Sequence, residues 1–177
     1  MPALTWTETL RLQQPQMDRT HEEFVALLAD VRTRLGPPPV ADAPADTLPA
    51  DATAAVATAA VAAFERLLAH TVEHFAQEDR WMQATGFAPE NCHSRQHALV
   101  LQVMHEALRL ARDEGRGEAM AILVDELGTW FPQHASMMDA GLAQQMVALG
   151  FDPETGTCRQ PLPEAAIRHC GGGGCGG

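Results

Sequence analysis

Through most of the first 150 residues, apolar side chains recur at steps of three and four, the period of an α-helix with one buried face. Phe24, Leu27, Leu28, Val31 and Leu35 follow that spacing. Thr20 with Glu23 three residues on has the capping-box form, and Gly36 with three prolines behind it stops the run. The pattern predicts a first helix over 18–35. Residues 36–50, rich in Pro, Ala and Asp, read as a loop longer than a tight bundle connection needs. Asp51 is a suitable cap for a second helix through Val56, Val61, Phe64, Leu67, Leu68, Phe75 and Trp81, ending near Thr85 before Gly86. Pro89 suits the first turn of a third, over about 89–114, which Gly115 and Gly117 close. A fourth covers about 118–149 and ends at Gly150, with Pro132 predicting a kink or break inside it.

Upstream, Leu4–Gln16 with Trp6 as its one large anchor reads as an arm lying on the helices. From Phe151 the period is lost: Pro153, Pro161 and Pro163 lead to His169, Cys170, four glycines and Cys175, which reads as a flexible tail. The fold class is therefore all-α, an antiparallel up-down-up-down four-helix bundle over 1–150 with an N-terminal arm and an appended tail over 151–177.

Composition supports helix: Ala and Leu abound, Tyr is absent, and Ile occurs only at 122 and 167. A net charge of -11 argues against a nucleic-acid or anionic-membrane partner, since both need clustered Lys and Arg. Met1–Leu10 lacks the basic-then-apolar pattern of a secretory signal. The apolar stretches are broken by His, Glu or Arg, so no membrane insertion is expected and the cytoplasm is the default location. Cys92, Cys158, Cys170 and Cys175 then read as reduced thiols. Cys92 would be a small buried one. The tail cysteines, with His169, read as incidental, because 170 and 175 lack the Cys-x-x-Cys spacing of zinc or thioredoxin-like sites.

Chemistry enters with the histidines. His74 and Glu78, and His93 and His97, are each four residues apart and so address one point from one helix face. His134 and Asp139 lie on the fourth helix and His21 in the first turn of the first. A lone helical histidine is an ordinary surface or core residue, and His70, His105 and His169 are read that way. Four helices each offering such groups differ, because burying them unsatisfied costs several kcal/mol apiece and a metal cluster satisfies them together. The step of five from His134 to Asp139 swings off a shared face in a regular α-helix. It reaches the cluster only if the helix widens locally into a π-turn, as functional helices often do.

The set His21, His74, Glu78, His93, His97, His134, Asp139, in this order, resembles the hemerythrin family. So do the lead-in Met17-Asp18-Arg-Thr-His21-Glu-Glu-Phe24, the His74-Phe75 pair, and Trp130 upstream of His134. The long Pro/Ala-rich loop, Pro132 and the cysteine-bearing tail depart from it. The resemblance implies two non-heme irons joined by an oxo or hydroxo bridge. His93, His97 and His134 would hold one, His21 and His74 the other, and Glu78 and Asp139 would bridge them. Ligand counting leaves one open position, on the His21–His74 iron, where dioxygen would bind. Leu28, Leu101 and Met104, one or two turns from the ligands, are candidate pocket residues. Oxygen storage, delivery or sensing is the implied role, with an oxygen-consuming or redox protein as a possible partner. A di-iron peroxidase, nitric-oxide reductase or ferroxidase, and plain iron storage, are the alternatives.

Overall fold

The computed structural model describes residues 4–36 and 50–169, with 50–53 as helical backbone alone. The expected Pro-rich loop falls almost wholly on 37–49, and Cys170 and Cys175 on 170–177, outside the described residues. The helices are α1 (Pro15–Leu35), α2 (Ala50–Ala84), α3 (Cys92–Glu114), α4 (Glu118–His134) and α5 (Ala140–Leu149). A five-residue π-turn, Ala135–Asp139, joins α4 to α5, so these form the fourth long helix of the bundle. There is no strand among the described residues, only two isolated bridges.

Two helices start elsewhere than their sequence signals suggest. α1 begins a turn early because Pro15 fills its first position and the Gln14 side chain caps it, accepting from the Met17 amide. Thr20 is thus inside the helix, its hydroxyl donating to the Gln16 carbonyl. α3 begins late: Asn91 accepts from the amides of His93 and Ser94 while Ser94 Oγ accepts from the Asn91 amide, a reciprocal cap. Pro89 lies in the preceding connection. Pro132 leaves α4 unbroken up to His134, and the widened turn follows directly.

The buried apolar residues form two clusters. One contains Phe24, Leu28, Val31, Phe64, Leu67, Met104, Val124, Leu127 and Phe131. The other contains Met17, Trp81, Met82, Phe87, Met138, Leu142 and Met146. α1 and α3 run from the second cluster into the first, and α2 and the α4–α5 helix run the opposite way. That alternation is the up-down-up-down bundle, closed by packing of α1 on α2, α2 on α3, α3 on α4, and α4 on α1. In every helix the chemistry-bearing residues fall where one cluster gives way to the other. The centre of the bundle is a polar layer between two oily ones.

The N-terminal arm lies on the bundle as expected, with a single 3₁₀ turn at Glu8–Leu10, Leu10 buried, and Leu4 and Trp6 against the first cluster. Over Ala54–Ala84, α2 is long and apolar enough to cross a membrane by length and composition alone, a test that the core helix of a bundle also passes. The cause is its alanine-rich first half; Phe64, Leu67, Phe75 and Trp81 all face the bundle core.

Residues 151–169 are not a free tail, a correction to the sequence reading that applies to those residues. The Ala88 and Cys92 amides donate to the Ile167 and Arg168 carbonyls, and the Ile167 amide to the Gly86 carbonyl. The segment is strapped over the α2–α3 connection by backbone bonds. Cys92 lies beside it, with Sγ 2.9 Å from His169 Nδ1, and is disulfide-bonded. The reduced-thiol expectation therefore fails at Cys92. Among the described residues Cys158 is the free thiol.

Gly86 makes the strap possible. Its φ is +92°, and a Cβ there would stand 2.8 Å from Pro163 Cγ and Cδ. Gly86→Ala should therefore cost about 1–3 kcal/mol from the backbone conformation alone. An unchanged denaturation midpoint would count against this seating of the strap.

Candidate metal centre

Seven buried side chains meet in the polar layer, and each helix delivers its share for a local reason. α1 presents His21 one turn past Met17 and just under one turn before Phe24, so the imidazole is enclosed by apolar neighbours on its own helix. α2 presents His74 and Glu78 at a step of four, with Nε2 to Oε1 at 3.1 Å. α3 presents His93 and His97 from the same kind of step.

The fourth contribution depends on the π-turn. A wider turn brings a residue five positions on back to the starting face. Asp139 is accordingly fully buried, with Oδ1 3.2 Å from His134 Nε2 and 2.9 Å from His93 Nε2. Its other oxygen lies 3.3 Å from His21 Nε2. Pro132 contributes by having no amide hydrogen for the Gly128 carbonyl, which loosens the ladder just upstream.

The polar atoms converge on common points rather than on one another. Glu78 Oε2 stands 3.3 Å from His97 Nε2 and 3.6 Å from His93 Nε2, and Glu78 Oε1 3.5 Å from His21 Nε2. His93 and His134 face each other through Nε2 at 3.2 Å. Despite these short separations, His21 Nε2, His97 Nε2, Glu78 Oε2 and both Asp139 oxygens are buried without a well-formed hydrogen bond. Such atoms are costly unless something else satisfies them. Two donors about 2.1 Å from one ion and at right angles stand about 3.0 Å apart, close to what is seen here. Two groups of donor atoms, each within 4.8 Å of one another, could hold a metal: Glu78, His93, His97, His134 and Asp139, and His21, His74 and Glu78. Glu78 belongs to both.

Electrostatics fit a cation. Burial pushes both carboxyls up, and Glu78 also raises Asp139, yet the surrounding imidazoles hold both well below the usual carboxylate range. Burial pushes His21 down, but its hydrogen-bonding and charge interactions with Asp139 and Glu78 more than offset this, leaving its pKa at about 9. His134 is lowered, chiefly by burial. His97 is raised: burial disfavours its charged form, and Asp79 and Glu78 outweigh that.

All seven sequence-selected residues are thus brought together. The three candidate pocket residues are apolar neighbours of the layer: Leu28 and Met104 are buried in the first cluster and Leu101 packs at its edge. His105 is exposed, as expected. His70 is less so: its Nε2 meets Glu23 at 3.3 Å and its ring lies 6.0 Å from His74. Sequence reasoning missed Asp79 and Gln96, whose oxygens accept from His97 Nδ1 and His134 Nδ1, each at 3.1 Å. It also missed that Phe75 stacks on His97 and Trp130 on His134, at centroid separations of 3.9 and 4.3 Å. Adjacency to a selected residue was the available signal in Phe75, Asp79 and Gln96.

Residues 14–146 match the family model described as hemerythrin HHE cation binding domain. A bacteriohemerythrin of Ralstonia nicotianae is 34% identical over 153 residues, covering 86% of this chain and 95% of the relative. No solved structure was found to match the chain.

Proposed function

Because the chain belongs to the hemerythrin family, we propose that it is a non-heme di-iron protein that binds dioxygen reversibly, for storage, delivery or sensing. The observation that carries this is the convergence of five buried imidazoles and two buried carboxylates between two apolar clusters. In this reading His93, His97 and His134 hold one iron, and His21 and His74 the other. Glu78 and Asp139 would bridge them. Their positions support the bridging role: Glu78 has oxygens within 3.6 Å of His21, His74, His93 and His97, and Asp139 reaches His21, His93 and His134. Bound there, the irons would supply the two electrons that dioxygen accepts.

The chain's own residues set the terms of that chemistry. Two anionic ligands against five neutral imidazoles leave the irons less electron-rich than a carboxylate-dominated site, which favours binding over substrate oxidation. The side with fewer ligands is the His21–His74 side. Phe131 meets the His21 ring edge-on at 5.1 Å, and Phe24 lies 6.4 Å from His74. These rings, with Leu28 and Met104 in the same cluster, keep water from that side.

The test is to load the chain with ferrous iron anaerobically, admit oxygen and record the visible spectrum. A band that appears with oxygen and disappears on degassing is expected. Rapid, irreversible oxidation without such a band, accelerated by peroxide or reductant, would replace this reading with that of a redox enzyme.

A further inference from the structure

The two halves of the site differ in how their imidazoles are held. All five point Nε2 at the cluster. On the three-histidine side, His97 Nδ1 donates to the Asp79 carboxylate and His134 Nδ1 to the Gln96 amide oxygen. Those bonds fix the tautomer that leaves the Nε2 lone pair facing inward, and they raise its basicity, the charged acceptor more than the neutral one. Each of these rings also lies against an aromatic face, Phe75 at 5° to His97 and Trp130 at 27° to His134. On the other side, His21 Nδ1 and His74 Nδ1 are buried and have no hydrogen-bond partner among the described residues. Their rings meet neighbours tilted or edge-on, at 57° to each other and 88° between His21 and Phe131. Nothing comparable fixes their tautomer or their rotation.

We infer that Asp79 and Gln96 are positioning residues that make the two metal positions unequal, so that the His93–His97–His134 position fills first and holds its ion more tightly. Asp79 is the stronger lever, being charged and bonded to the ring that is stacked most closely. The inference rests on the di-iron reading, extending it from which residues bind to the order in which they do so. It gives the more weakly held ion to the side where the exogenous ligand would enter.

The experiment is an anaerobic titration of the full chain with Co²⁺ against a competing chelator, followed by the cobalt ligand-field bands. Two resolved steps are expected for the unaltered chain. Asp79→Ala should weaken the tighter step by about 10–100-fold, the scale on which such outer partners act, and the weaker step by less than about threefold. Asp79→Asn keeps an acceptor oxygen without the charge and should recover part of the loss. A purely structural role would give no such graded rescue. The Asp79 side chain is 39% exposed, so the fold should tolerate both changes; if the alanine variant fails to fold, the asparagine variant decides. Gln96→Ala should weaken the same step by a smaller factor. Two ions taken up in one unresolved step, or a first step unmoved by Asp79→Ala, would overturn the inference and leave the di-iron reading standing. An unaltered chain that binds no Co²⁺ would overturn both.

Discussion

Replacing Glu78 by alanine should leave a chain that retains at most one metal ion, where the proposed di-iron centre has the unaltered protein retain two. Glu78 is the one residue common to both groups of converging donors, and it is fully buried with four imidazoles around it. Its removal takes a donor from each position and half the negative charge that offsets two cations. Metal analysis after anaerobic iron loading and desalting measures the effect. Retention of two ions by the variant would rule out the bridging role. Glu78→Gln fills the same space but keeps one donor oxygen and no charge, so any loss it shows belongs to charge and donor count rather than to shape.

The second large effect concerns stability. Phe131 is 1% exposed, stacks on Phe24 at 4.8 Å and presents its edge to His21. Truncating a buried phenylalanine to alanine removes its packing and leaves a cavity, which costs about 3–5 kcal/mol. For a domain of this size that is a fall of roughly 6–20 °C in Tm. The cavity would open against His21, so the loss should persist in the metal-loaded protein and oxidation of the site should quicken as water gains entry. Denaturation of the metal-free and loaded forms measures the first effect, and decay of the oxygen-dependent band the second. A cost below about 1 kcal/mol would mean that the cluster closes over the gap and that Phe131 is not the wall it is taken to be.

The sequence made the helices legible because each has one continuous apolar face, and a period of 3.6 survives errors at its ends. The ends themselves were harder. At α1 the Thr20–Glu23 pair imitates a cap, while the working cap is a glutamine before a proline. At α3, Pro89 suits a first turn, but Asn91 captures two amides and resets the start. The seven converging residues were readable because histidine and carboxylate pairs at steps of four are rare on one face without cause. Asp139 showed only as an anomaly of spacing, one that a widened turn resolves. Asp79 and Gln96 had only adjacency to mark them, for a different reason. Each points off the ligand face of its own helix and gains meaning only from where a neighbouring helix places a ring. The strap of residues 151–169 was misread because backbone hydrogen bonds leave no mark in the order of side chains.

The π-turn has a consequence for how the chain tolerates changes in length. In a regular α-helix each residue advances the face by about 100°, so one residue lost from α4 or α5 would misdirect every side chain beyond it. Between His134 and Asp139 the helix already carries one residue more than a regular turn needs. Removing one of the intervening residues would turn a step of five into a step of four and a wide turn into an ordinary one. His134 and Asp139 would still share a face, and Leu142 and Met146 would still meet Trp81 and Met82. Among the helical residues described, this stretch is where the chain can shorten by one residue and keep its phase.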